Sequence, residues 1–198
     1  MLATLYALIT VLAWGSWLAP SQTIRFRNQQ IRTFYVAAAN LLLATIVFSL
    51  QGFQGLNGPV FWLPFAGGLA WALSSYFAFT ATERLGMARA FGIWSPLNSV
   101  VSLLWGGLLF GEFANLDEPA LARLSGSLVL ILAGVLLIIF AKGVGRQSQA
   151  AGTAWVGLLG ALGAGILWGS YYIPIQLSAA SLWVAAFPLA VGIFTGSA

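Results

Sequence analysis

LAWGSWLAPSQ, residues 12–22, and ILWGSYYIPIQ, residues 166–176, are two copies of one pattern. Placed one above the other they agree at Trp14/Trp168, Gly15/Gly169, Ser16/Ser170, Pro20/Pro174 and Gln22/Gln176, and Trp17 faces another aromatic, Tyr171. Tryptophan is rare, so chance explains such a run of agreements poorly. An internal repeat is therefore the first feature to account for.

Each copy lies in an apolar segment. The chain has 198 residues, of which 60% are hydrophobic and 6% charged, against roughly 25% charged in a soluble globular domain. So few charges could not coat a soluble body of this size, and the high hydrophobicity excludes a disordered chain. With no His and no Cys, disulfides, thiol chemistry and imidazole metal sites are excluded too. The composition is that of an integral membrane protein, and no cofactor or metal is expected.

A membrane span needs about 20 mainly apolar residues. Seven candidates follow: Leu2 to Pro20, Thr33 to Leu50, Val60 to Thr82, Ala90 to Phe110, Leu124 to Ala141, Ala154 to Leu177, and a last stretch from Leu182. The first lacks a basic n-region and outruns the apolar run of a secretory leader, so it reads as a retained span.

Lys and Arg set the orientation. Arg25, Arg27 and Arg32 follow span one, Arg84 and Arg89 follow span three, and Lys142 and Arg146 follow span five; only Arg123 falls on the other side. The net charge of +4 is thus a topology signal rather than a nucleic-acid footprint. It places the N-terminus outside a cytoplasmic membrane.

The two copies of the pattern are five spans apart. Five is odd, so the second enters the membrane from the opposite side, the inverted-topology arrangement used by many secondary carriers. The first copy is followed by basic RFRNQQIR and the second by uncharged LSAAS, as inversion requires. The expected organisation is an all-α multi-pass bundle. A first five-helix repeat covers residues 1–145, and the start of an inverted second repeat covers 146–198 and breaks off after about two helices.

Gly15 with Pro20, and Gly169 with Pro174, are expected to break their helices. Proline removes an intrahelical donor and crowds the preceding turn, and the freed carbonyls need a polar neighbourhood inside the bilayer. Ordinary helix packing also uses Gly and Pro, but duplication at matched positions favours a solute site. Pro96 is a further expected break in span four.

Ser95, Asn98, Ser102 and Trp105 share one face of span four. For the serines, interhelical hydrogen bonding is the simpler role. The span cores contain no Lys, Arg, Asp or Glu, so a neutral solute suits the site better than a charged one. Aromatic faces alongside Asn, Gln and Ser donors and acceptors suit a sugar, whose C–H faces stack while its hydroxyls are hydrogen-bonded. The substrate-binding candidates are Trp14, Ser16, Trp17, Gln22, Asn40, Trp94, Asn98, Trp168, Ser170, Tyr171 and Gln176. Glu83 and Glu112, near span ends, are candidates for a coupling group, with ion pairing to Arg84 or to lipid headgroups as the plainer role.

Three stretches carry a resemblance: the duplicated WGSWLAPSQ and WGSYYIPIQ, ERLGMARAFGIWSPLNSVVSLLWGGLLFGEF (residues 83–113), and LSGSLVLILAGVLLIIFAKG (residues 124–143). The chain resembles the drug/metabolite transporter superfamily, in its glucose/ribose and rhamnose porter branch. The resemblance implies ten helices in two inverted halves around a central cavity, and symport of sugar with a cation, a proton or sodium. The chain departs from that pattern by stopping in its seventh span, and a fragment of a longer carrier is the expected explanation. An oligomer is compatible with all of this.

The leading expectation is a secondary carrier of a small neutral solute, most simply a sugar. The alternative is a drug, metabolite or amino-acid exporter of the same superfamily. A membrane enzyme lacks its usual acid–base and metal-binding groups here. A non-transporting sugar receptor would bind solute without counterflow.

Overall fold

The computed structural model describes residues 2–16, 29–52, 54–141 and 151–198. Among these there is no strand, and the backbone runs as eight helices: α1 (Leu2–Ser16), α2 (Gln29–Leu50), α3 (Gly58–Leu85), α4 (Met87–Phe110), α5 (Glu118–Phe140), α6 (Ala151–Ser170), α7 (Ile173–Leu177) and α8 (Leu182–Ser197). Helices satisfy their backbone groups internally, which a span through hydrocarbon requires. Five segments are long and apolar enough to cross: Ile31–Leu50, Gly58–Leu85, Met87–Phe110, Glu118–Phe140 and Ala154–Leu177. The protein is an all-α, multi-pass membrane protein. Of the seven expected spans, the first and last correspond to shorter apolar helices.

Helix boundaries follow local chemistry and run beyond the apolar cores. Asn57 Oδ1 accepts from the Val60 N–H at 3.0 Å, with Pro59 in the first turn, to start α3. Asp117 Oδ1 accepts from the Ala120 N–H at 2.8 Å, so α5 begins at Glu118 rather than near Leu124. Arg123 therefore lies on α5, Arg84 on α3 and Arg89 on α4 rather than in loops. The residue joining α3 to α4 is Gly86, whose φ of 80° suits glycine, and its N–H donates to the Thr82 carbonyl at 3.0 Å. α4 runs without interruption through Pro96, so no break occurs there. Losing one N–H leaves the rest of the ladder in place.

α3 is the centre of the bundle and packs most extensively on α6 and α8, while α4 packs on α6. A Cβ at Gly68 would lie 2.2 Å from the Leu189 carbonyl oxygen, and one at Gly192 would lie 2.1 Å from that of Phe65. These two glycines let the backbones of α3 and α8 touch, the small-residue contact typical of membrane helices. Gly196 meets Ala72 one turn further on, so α3 and α8 run parallel. Gly157 meets Leu85 and Gly160 meets Phe77, so α6 runs antiparallel to α3.

The buried core joins Phe79, Ile93 and Trp94 to Ala161, Ala164 and Trp168. Ser74 and Ser75 are buried within α3, and their hydroxyls donate to the Ala70 and Trp71 carbonyls of the same helix, not to a neighbouring helix. α5 is largely exposed: Val129, Leu130, Leu137 and Phe140 present a face suited to lipid.

Candidate solute-binding site

The WGSYYIPIQ segment makes the one discontinuity described within a crossing segment. α6 stops at Ser170, Tyr171 and Tyr172 form a turn, and α7 starts at Ile173. Pro174 falls in the first turn of α7, where its missing N–H costs no hydrogen bond. Gly169 permits a close approach at this point, since a Cβ would lie 2.5 Å from Val101 Cβ and 2.9 Å from the Asn98 carbonyl oxygen. The Gly169 carbonyl accepts from the Ser102 hydroxyl of α4 at 3.2 Å. A backbone acceptor at the break is thus satisfied from the neighbouring helix, as the bilayer demands.

Next to this break lies a cavity of about 380 Å³, within the roughly 300–1,000 Å³ range of small-molecule sites. α4 supplies Asn98, Ser102, Trp105 and Phe110; α6, α7 and their turn supply Trp168, Tyr171, Tyr172 and Gln176; Glu112 lies at the α4 end. The Trp105 indole N–H donates to Ser170 Oγ at 2.9 Å, and the Ser170 hydroxyl donates to the Ile166 carbonyl at 2.8 Å. Ser102 Oγ lies 3.4 Å from Asn98 Oδ1. The wall therefore combines aromatic faces with amide and hydroxyl groups.

Trp168 is 7% exposed and packs edge-on against Trp94, with ring centroids 5.6 Å apart, and tilted against Trp71 at 6.3 Å. Its indole N–H is buried without a hydrogen-bond partner among the described residues. Buried donors are nearly always hydrogen-bonded in proteins, so this one calls for a water or solute partner.

Asn98, Trp168, Gly169, Tyr171 and Gln176 are thus brought together, with Ser170 in their hydrogen-bond network. Trp94 is not part of the wall; it is 3% exposed and supports Trp168 from behind. Asn40 sits half-buried on α2, which packs against α8 and α3, and does not line the cavity. In the first copy of the repeat, Trp17, Pro20 and Gln22 lie outside the described residues, as do the surroundings of Trp14 and Gly15. Ser16, at the end of α1, donates its hydroxyl to the Leu12 carbonyl at 2.6 Å and is exposed.

Ser102, Trp105, Gly106, Phe110, Glu112, Tyr172 and Ile173 complete the lining and lie outside the expected binding set. The shared face of Ser95, Asn98, Ser102 and Trp105 already pointed to the first two. Glu112 lies beyond the end of α4, and the left-handed turn at Gly111, not the helical period, brings it to the cavity. Among the described residues no group of three or more acidic side chains could hold a metal ion.

Comparison with known proteins bears on this site. The model of the family described as sugar transport protein matches residues 5–198. A Bacillus cereus protein named for sugar uptake is 25% identical over 193 residues, which cover 98% of this chain and 66% of the relative. A Bacillus anthracis protein named for glucose uptake is 27% identical over 141 residues, covering 71% of this chain and 49% of the relative. A Lactococcus lactis protein named for sugar uptake is 32% identical over 114 residues, 58% of this chain and 36% of the relative. The chain thus spans just under two thirds of the length of the Bacillus cereus relative it matches. No solved structure matches it.

Proposed function

The chain belongs to the sugar transport protein family, and on that premise we propose that it moves a small neutral sugar across the cytoplasmic membrane as a secondary active carrier. The observation that carries this reading is the cavity at the α6–α7 break. There Trp168, Tyr171 and Tyr172 offer apolar ring faces beside Asn98, Ser102 and Gln176. A pyranose or furanose presents the same alternation of C–H faces and hydroxyls, so it can stack and hydrogen-bond at once.

Membership of the drug/metabolite transporter superfamily, in its glucose/ribose and rhamnose porter branch, is part of the proposal. So is the inverted arrangement of residues 1–145 and 146–198, with the N-terminus outside. In this reading the two WGS-containing helices, one per repeat, line a pathway that opens alternately to either face. Uptake coupled to a proton or sodium follows from the same resemblance. The names of the relatives describe uptake proteins and not enzymes, which supports transport over catalysis.

The test is counterflow in proteoliposomes made from the purified protein. Vesicles preloaded with unlabelled D-glucose, D-ribose or L-rhamnose should transiently accumulate the same labelled sugar from outside. Accumulation of amino acids or lipophilic cations instead, with no competition from monosaccharides, would select the exporter reading. Solute binding without counterflow would make the protein a receptor.

A further inference from the structure

Glu112 is the one carboxylate among the residues lining the cavity, and its position is built by three glycines. α4 ends at Phe110, and Gly111 turns the chain back in the left-handed conformation, φ 66° and ψ 20°. The Glu112 N–H then returns to the Gly106 carbonyl at 3.1 Å. The carboxylate lies on the bare Cα of Gly106, where a Cβ would meet Glu112 Oε2 at 2.4 Å. The ring of Phe113 lies on Gly107 in the same way, 2.2 Å from a Cβ there. The adjacent glycines of the GGLLFGEF stretch thus receive side chains of the returning turn rather than a neighbouring helix.

The simpler role, pairing with Arg84, does not fit this geometry. Arg84 lies in the last turn of α3 and packs on Gly157, at the opposite end of α4 from Glu112. A helix of that length separates them by roughly 36 Å. Meanwhile the cavity holds complementary groups: the Glu112 carboxylate only accepts hydrogen bonds, and the side-chain amides of Asn98 and Gln176 carry donors. A hydroxyl does both.

We propose that Glu112 is a specificity-determining residue that accepts hydrogen bonds from two adjacent hydroxyls of a neutral sugar, one to each carboxylate oxygen. The proposal rests on the sugar reading of the cavity given above. A charged acceptor makes a stronger hydrogen bond than a neutral one, so each missing hydroxyl should be felt as about a tenfold loss of affinity or more.

The experiment titrates the purified protein with D-glucose and with its 2-, 3-, 4- and 6-deoxy analogues, read by tryptophan fluorescence. The wild type should bind D-glucose about tenfold or more tightly than at least one analogue. Glu112→Gln should weaken D-glucose by a similar factor and erase the preference against that analogue. Gly106→Ala keeps the carboxylate but pushes it off its seat, and should reproduce the loss even if Glu112→Gln fails to fold. Wild-type affinity and discrimination in both variants overturn the proposal while leaving the sugar reading intact. Failure of the wild type to bind any of these sugars overturns the sugar reading and the proposal with it. Preferential binding of D-glucosamine over D-glucose, lost in Glu112→Gln, overturns the hydroxyl assignment in favour of ammonium recognition.

Discussion

The Trp105 indole N–H reaches Ser170 Oγ across 2.9 Å, and so α4 holds the final residue of α6 at the point where that helix stops. The same side chain of α4 that lines the cavity therefore also fixes its far wall. Cross-helix hydrogen bonds in membranes average about 0.6 kcal/mol, with about 1.7 as an upper value. A double-mutant cycle of Trp105→Phe and Ser170→Ala, measured by thermal unfolding in detergent, should return a coupling within that span. Strict additivity would show that the bond contributes nothing.

Gly169→Ala should be among the most damaging single changes. The new methyl would fall 2.5 Å from Val101 Cβ and 2.9 Å from a main-chain oxygen, neither of which can yield easily. Overpacking of this kind costs about 1–3 kcal/mol, and it would part α4 from the break. Gly134→Ala provides the contrast, because nothing lies within 4 Å of a Cβ there. It should be neutral or stabilise α5 by up to about 1 kcal/mol through helix propensity. Unfolding temperatures of the two variants, side by side, check both statements.

Trp94 and Asn98 should separate packing from binding. Trp94→Ala removes a buried ring from the core and should cost about 3–5 kcal/mol, seen as lost folded yield. Asn98→Ala trims a half-buried amide on the cavity wall, and should lower solute affinity while leaving the folded yield near that of the wild type. Equal losses of yield in the two variants would assign Asn98 to the scaffold.

Trp168→Phe tests the orphaned donor. The variant keeps most of the ring contact with Trp94 and Trp71 but removes a buried N–H that has no partner among the described residues. Relief of an unsatisfied donor is worth about 1–3 kcal/mol, which offsets the smaller ring, so stability should change little. Solute affinity should fall. A marked loss of stability with unchanged affinity would identify Trp168 as a core residue alone.

Much of this was legible in the chain. The scarcity of charge required a membrane, and runs of apolar residues located the long helices to within several positions. The WGSYYIPIQ segment marked the place where α6 gives way to α7, because Gly169 and Pro174 each carry a backbone consequence. The face shared by Asn98, Ser102 and Trp105 identified one wall of the cavity. Periodicity could not tell which aromatic on α4 meets the cavity and which meets the core. Trp94 and Asn98 are one turn apart on similar faces, and only the position of Trp168 decides between them. Glu112 escaped because its placement depends on a turn at Gly111, beyond the end of the helical repeat. Pro96 misled because the rest of the hydrogen-bond ladder carries α4 past a single missing donor.

The partners of α3 along the chain are not its main partners in space. Its interior glycines, Gly67 and Gly68, are covered by the Tyr171 turn, α7 and α8, which come much later in the sequence. During biosynthesis α3 therefore enters the bilayer with a bare groove at Gly67 and Gly68, exposed to lipid or to the insertion machinery. That groove closes only when the ribosome has delivered the segment around Gly192. Chains arrested before that point should be the ones that quality-control proteases recognise.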